Sequence, residues 1–186
     1  QLIAHMSSPE AKRPKKRRRV KKKKRSVYFI FDLDGVLRDL NQDQVCTYPQ
    51  CEEILNSLKT KKYKLAIASH NFQAKEVLST LNFAPLFDVV LSPKTASSLT
   101  SSNFIKFHSK WKMVQDICRR WDTEACNIIF FDDTLRHVQD VRQNGAYAIR
   151  VNPNKGLTTR DIDNGLEMIR NEWSTDCFDY VNKDST

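Results

Sequence analysis

Two aspartates one residue apart, Asp32 and Asp34, sit at the end of the apolar run VYFIFDLDGV (27–36), with Gly35 directly after the second. Carboxylates in that position repel each other and face low dielectric unless a cation or a proton settles them. The pattern therefore points to a metal site. The theme recurs downstream, where CNIIFFDD (126–133) ends on Asp132 and Asp133. Between the two acid pairs, KLAIAS (64–69) ends on Ser69, followed by His70, and Lys110 opens a helical pattern. Each has an ordinary explanation alone: Ser69 as a helix-entry residue, Lys110 as a solvated charge, Asp132 or Asp133 as the N-cap of a helix from Thr134. Together they place acids, a hydroxyl and an amine at neighbouring strand ends, the edge where open α/β sheets bind ligands.

The elements that must position these groups follow from periodicity. YPQCEEILNSLKTKKY carries Cys51, Ile54, Leu55 and Leu58 at helical spacing and is opened by Pro49. After the strand at 64–69, Asn71 caps a helix with Ala74, Val77, Leu78 and Leu81 inward. FDVVLS (87–92) is a third strand, and 93–108 reads as a long serine-rich loop. A helix with Trp111, Val114, Cys118 and Trp121 inward leads to the strand ending at Asp133. Leu135, Val138 and Val141 face in on the next helix, Gly145 ends it, and AYAIRV (146–151) is a fifth strand. A last helix from Thr158 or Thr159 carries Ile162, Leu166, Ile169 and Trp173 on one side. Residues 35–48 read as polar and irregular. Strands alternating with helices predict an α/β Rossmann-like three-layer αβα sandwich around a central parallel sheet. No GxGxxG follows the first strand, which argues against the dinucleotide-binding version.

The four strand-end motifs, in this order over 27–151, resemble those of the haloacid dehalogenase (HAD) superfamily. SKW (109–111), FFDD (130–133) and Asp140 resemble the capless, magnesium-dependent phosphatase group in type and spacing, whereas Gly35-Val36 resembles the wider superfamily. The resemblance implies a phosphatase in which Asp32 is the nucleophile, forming an aspartyl-phosphate, and Asp34 the acid and base. It implies Mg²⁺ held by Asp32, the backbone carbonyl of Asp34 and Asp133, with Asp132 bonding a metal-bound water or orienting Lys110. Ser69 and Lys110 would bind phosphate, with His70 facing the substrate. Dehalogenating members lack the second aspartate, so Asp34 favours phosphoryl transfer. His108 is expected to be a loop residue and His137 a surface residue.

The intervals Asp34 to Ser69 and Ser69 to Lys110 are filled by the elements already assigned, so no cap domain is expected. An open site suits a phosphate on a large partner. A phosphoprotein is the first expectation, with phosphosugars and a nucleic-acid terminal phosphate behind it. A phosphatase-like binding module without catalysis is the competing class, and the presence of Asp34 weighs against it.

Of 31 Lys and Arg in the 186 residues, 12 fall between Lys12 and Arg25, leaving 19 against 21 acids in 26–186. The formal charge of +9 is thus a property of one segment. The expected domains are a disordered basic tail over 1–25 and a HAD-like domain over 26–186. PKKRRRV (14–20) resembles a monopartite nuclear localisation signal, which implies nuclear localisation, the cytoplasm being the alternative. Its partners would be an import receptor or the phosphate backbone of nucleic acid. Gln1 to His5 resemble a cloning remnant ahead of Met6. No apolar run is long enough to predict a membrane span. Five cysteines without a CxxC argue against a disulfide framework or structural zinc and predict mostly buried thiols.

Overall fold

The computed structural model describes residues 26–93 and 109–181, the side chains of 173–181 excepted. The expected basic tail, most of the serine-rich loop and the side chain of Trp173 lie outside the described residues. The central sheet has five parallel strands: β1 (Tyr28–Phe31), β4 (Lys64–Ala68), β5 (Val89–Leu91), β6 (Ile128–Asp132) and β7 (Tyr147–Arg150). Their spatial order is β5-β4-β1-β6-β7. Among the described residues the α-helices are α1 (Cys51–Thr60), α2 (Ala74–Thr80), α3 (Lys110–Trp121), α4 (Leu135–Gln143) and α5 (Thr159–Val181).

Alternation along the strands explains why both faces are covered. Phe29 and Phe31 of β1, with Ile129 and Phe131 of β6, turn to one face, where Leu55 of α1, Leu78 of α2 and Ile162 and Ile169 of α5 close over them. Ile30, Ile128 and Phe130 turn to the other, against Val114 and Ile117 of α3 and Val138 and Val141 of α4. Each layer therefore buries its own core, and the three-layer sandwich expected from the sequence is the observed fold. β1 pairs in parallel with both β4 and β6, so the strand carrying Asp32 runs through the centre of the sheet.

Four local expectations need correction. Residues 35–48 are not irregular throughout: β2 (Arg38–Asp39) and β3 (Cys46–Thr47) form a short antiparallel hairpin. Leu135 is exposed, because as the first residue of α4 it sits at the rim of the sheet while Val138 and Val141 one turn on reach the core. Gln50, rather than Pro49, is the residue flanking α1. Asn71 does not immediately precede α2, which starts at Ala74; its side chain accepts from the Gln73 N–H instead. Cys51 and Cys118 are buried as expected, and burial pushes the Cys118 thiol up to about 11, whereas Cys126 is exposed. Among the described residues, no helix is long and apolar enough to cross a membrane.

Helix α5 lies close to the sheet because Gly165 has no side chain. A Cβ there would stand 2.6 Å from Ile129 Cγ2, on a central strand that cannot yield. Gly165→Val should therefore destabilise the protein by about 1–3 kcal/mol through overpacking. Thermal unfolding of the purified variant checks this, with an unchanged midpoint counting against the close packing described.

Candidate active site

All the motif residues come to the carboxyl edge of the parallel strands. Asp32 directly follows β1, and its backbone N–H donates to Phe131 O at 2.8 Å, which extends the pairing with β6 to the point where the acids begin. Asp132 is the last residue of β6, Ser69 the first after β4, and Lys110 the first of α3. The chain then turns sharply: Gly35 has φ +74°, and a Cβ there would lie 2.7 Å from Asp133 Oδ2. Only glycine lets the turn after β1 and the Asp133 carboxylate approach so closely.

Lys110 is the centre of the site. Its side chain is fully buried, and Nζ contacts Asp32 Oδ2 at 2.6 Å and Asp132 Oδ2 at 3.2 Å while donating to Ala68 O at 2.8 Å. One cation thereby bridges two strand ends. Burial pushes the Asp32 carboxyl up to about 6, against the pull of Lys110, and the nearby Asp132 raises it further. Asp32 Oδ1 accepts from the Leu33 N–H at 2.7 Å. Burial also acts to raise Asp132, but hydrogen bonding to His137 and the Lys110 charge outweigh it and hold that carboxyl below its usual range.

His137 was expected at the surface and is a site residue instead. One turn into α4, its Nδ1 lies 3.0 Å from Asp132 Oδ1, and Asp132 also accepts from the Thr134 N–H at 2.9 Å. Because an ionised carboxylate can only accept, His137 Nδ1 carries the hydrogen. The rings of His137 and His70 meet edge to face with centroids 5.2 Å apart. The sequence signal was the spacing: five residues from a strand-end acid into the following helix returns a side chain to the strand end. Ser69 is fully buried, and its Oγ accepts from the Asn71 N–H at 3.2 Å.

Asp34 stands apart from the lysine-bridged pair. Its Oδ1 accepts from Arg38 Nη1 at 3.2 Å and its Oδ2 from Asn71 Nδ2 at 2.9 Å, so the hairpin after β1 and the turn after β4 hold it from two sides. Neither Arg38 nor Asn71 was singled out in the sequence as a partner of this acid. The position of Lys110 also has a support: Asp140 of α4 accepts from Ser109 Oγ at 2.8 Å and from the Trp111 N–H at 3.3 Å, while Ser109 Oγ caps the Lys112 N–H at 3.3 Å. Asp140 therefore pins the first turn of α3.

The donor set suits a hard divalent cation. Asp32, Asp132 and the part-buried Asp133 supply three carboxylates, and Lys110 neutralises one charge among them. Ligand atoms of Asp32, Asp132 and His137 lie within 4.8 Å of one another. Asp133 is outside that group, its Oδ1 accepting from Thr134 Oγ1 at 3.2 Å. Oxygen donors carrying excess negative charge match Mg²⁺ better than a softer metal.

The sequence model of the family described as Acid Phosphatase matches residues 19–172, which takes in every strand, α1 to α4, the first part of α5 and every site residue above. The chain belongs to the acid phosphatase family. It has the HAD-type fold, and its enzyme class is that of the HAD-type phosphatases. A haloacid dehalogenase-like hydrolase from Streptococcus pneumoniae is similar in structure, with TM-score 0.56 and 14% identity over 75% of this chain and 90% of the other. A predicted phosphatase from Clostridium acetobutylicum gives 0.54 and 17% over 75% and 90%. An L-2-haloacid dehalogenase gives 0.54 and 14% over 68% and 86%, so the shared fold does not by itself separate the two chemistries. No curated protein matches the chain in sequence.

In this member of the family, Lys110 and Lys112 are two residues apart on one helix, yet only Lys110 is buried against the acids. Lys110→Ala should abolish activity and, by removing the cation shared by the buried Asp32 and Asp132, destabilise the fold by about 3–5 kcal/mol. Lys112→Ala should change neither by more than the ~0.5 kcal/mol typical of surface substitutions. Chemical denaturation and phosphatase rates measured on both variants check this, and equal effects would place the functional lysine wrongly.

Proposed function

We propose that this acid phosphatase family member is an Mg²⁺-dependent phosphomonoester hydrolase that works through an aspartyl-phosphate on Asp32. The observation that carries the reading is the buried bridge of Lys110 to Asp32 and Asp132. It fixes a carboxylate at the mouth of the central strand beside a cation that can neutralise an approaching phosphate dianion. Asp32, Asp133 and the backbone carbonyl of Asp34 would hold Mg²⁺, which when bound supplies further charge neutralisation for the phosphoryl oxygens.

The chain's own residues divide the work. Asp32, its Oδ1 fixed by the Leu33 N–H and its Oδ2 by Lys110, is oriented for in-line attack on phosphorus. Asp34, held by Arg38 and Asn71, donates a proton to the leaving oxygen and later accepts one from the water that hydrolyses the aspartyl-phosphate. Ser69 and Lys110 hold phosphoryl oxygens, His70 lines the approach, and His137 with Thr134 orients Asp132 against the lysine.

Between Asp34 and Ser69 the described chain holds only the hairpin, α1 and β4, with no inserted domain. Such an open approach fits a phosphate carried on a macromolecule, a phosphoprotein or the end of a polynucleotide. Arg38 beside Asp34 and the 12 Lys and Arg of residues 12–25 favour the polynucleotide. The same basic segment supports import into the nucleus.

Two substitutions test the mechanism. Asp32→Asn should abolish turnover of p-nitrophenyl phosphate and remove the acid-stable, hydroxylamine-sensitive phosphoenzyme, because an amide is neither nucleophile nor anionic ligand. Asp34→Asn should retain phosphoenzyme formation while slowing turnover by about 10²- to 10⁴-fold. Wild-type rates in Asp32→Asn would exclude the aspartyl-phosphate route. Chelation with EDTA should silence the wild type and added Mg²⁺ should restore it, activity in EDTA excluding the metal requirement.

A further inference from the structure

Arg38 opens the hairpin that follows the Asp32-Asp34 turn, and its guanidinium is only partly used. Nη1 meets Asp34 Oδ1 at 3.2 Å, whereas Nε is buried and has no hydrogen-bond partner among the described residues. That pair is a single-point contact, although an arginine and a carboxylate can share two parallel bonds. A buried donor left unpaired is costly, so the fold does not fully reward this placement. The side chain is 27% exposed, enough to meet a group arriving from outside.

The location tells which group. Asp34 is the residue assigned to the leaving oxygen, so a guanidinium within hydrogen-bonding reach of it stands on the leaving-group side of the scissile bond. A planar cation there fits a second tetrahedral anion bidentately. The rim is mixed: the hairpin segment carries Asp39, Asn41, Gln42, Asp43 and Gln44 along with Leu40 and Val45, which are 55% and 36% exposed, and Phe72, next to Asn71, is 46% exposed. Flat apolar groups have a surface to lie on.

Resting on the phosphatase reading above, we propose that Arg38 is a specificity-determining residue that grips a second phosphate beyond the scissile ester. The substrate class is then a polynucleotide carrying a terminal phosphomonoester. A polynucleotide sets a phosphodiester anion at a fixed spacing from its terminal phosphate and offers flat bases to the rim, whereas in a phosphoprotein a neighbouring anion depends on local sequence. The 12 basic residues of 12–25 fit the same polyanion. When the second phosphate takes Arg38, Asp34 Oδ1 loses its ion-pair partner and is free to meet the leaving oxygen.

The test compares substrates with one and two phosphates on the full chain. Wild-type protein, Arg38→Gln and Arg38→Lys are assayed with p-nitrophenyl phosphate, thymidine 5′-monophosphate, 5′- and 3′-phosphorylated dithymidylate, and a phosphoserine peptide flanked by acids. A common loss on every substrate in Arg38→Gln would reflect disturbance of Asp34 alone. The expected result is that the kcat/KM ratio of phosphorylated dithymidylate to p-nitrophenyl phosphate falls about tenfold or more in Arg38→Gln, as for one lost charge-assisted hydrogen bond, with partial recovery in Arg38→Lys. Binding to the inert Asp32→Asn protein gives a readout without turnover. There phosphorylated dithymidylate should bind about tenfold tighter than the monophosphate, and adding Arg38→Gln should remove the difference. An unchanged ratio, or a larger Arg38 dependence for the acidic phosphopeptide, would overturn the inference. Absence of p-nitrophenyl phosphate hydrolysis in the wild type would instead remove the phosphatase reading, and the binding comparison would still decide the role of Arg38.

Discussion

The contact of one buried ammonium group with two carboxylates at the mouth of the sheet is the constraint around which this domain is arranged. Removing a lysine from water entirely is tolerable only if its charge is compensated, and Lys110 achieves this with the Asp32 and Asp132 carboxylates and a hydrogen bond to the Ala68 carbonyl. The three partners come from the ends of β1, β6 and β4, three strands adjacent in the sheet though distant in sequence. Displacing any one of these strand ends would strand a charge in the interior. The energetic demand of the buried ion cluster and the geometry needed for phosphoryl transfer thus point the same way.

Much of the remaining structure serves to hold that cluster still. β1 lies between β4 and β6, and the aromatic layer of Phe29, Phe31 and Phe131 fills one side of it. On the opposite side α3 is fastened by Asp140, which reaches across from α4 to the N-terminal turn that presents Lys110. His137 and Thr134, at the start of the same α4, fix Asp132. One helix therefore orients both the lysine and one of its acids. Around this rigid centre the elements at the rim are slight: a hairpin with two residues in each strand and the turn from Ser69 to Gln73. Rigid positioning at the strand ends and variable approach at the rim is the division by which one fold can serve many phosphorylated substrates.

The same division decides where charge is satisfied. Asp32 and Asp132 are settled from within, by the lysine beneath them, whereas Asp34 is settled from the rim by Arg38 and Asn71. Two carboxylates one residue apart in sequence consequently face different environments. Asp32 is pushed up to about 6 by burial, while Asp34 remains accessible to a group arriving from solvent. Different surroundings for paired acids are what separate a nucleophile from an acid-base partner.

Continuous apolar runs at β1 and β6, and the acids placed where those runs stop, determined the parallel sheet, its two covered faces and the strand-end positions of Asp32, Asp34, Ser69, Lys110, Asp132 and Asp133. These are consequences of local pattern: unbroken apolar strands, helical spacing and turn chemistry act within a few residues. What the sequence could not show were contacts between segments far apart in the chain. Asn71 read as a helix cap, yet its amide reaches Asp34 across 37 positions. Asp140 read as a motif acid, yet it fastens the helix that carries Lys110, 31 positions from its Ser109 partner. His137 read as a surface residue, and this was a local miss, since its five-residue spacing from Asp132 returns it to the strand end. Arg38 was hidden in a stretch with no periodicity, and its meaning came from the hairpin that folds it back on Asp34. Local sequence decides which side chains stand at the edge of the sheet, and packing of distant segments decides which of them touch, because a hydrogen bond between remote residues leaves no period in the chain.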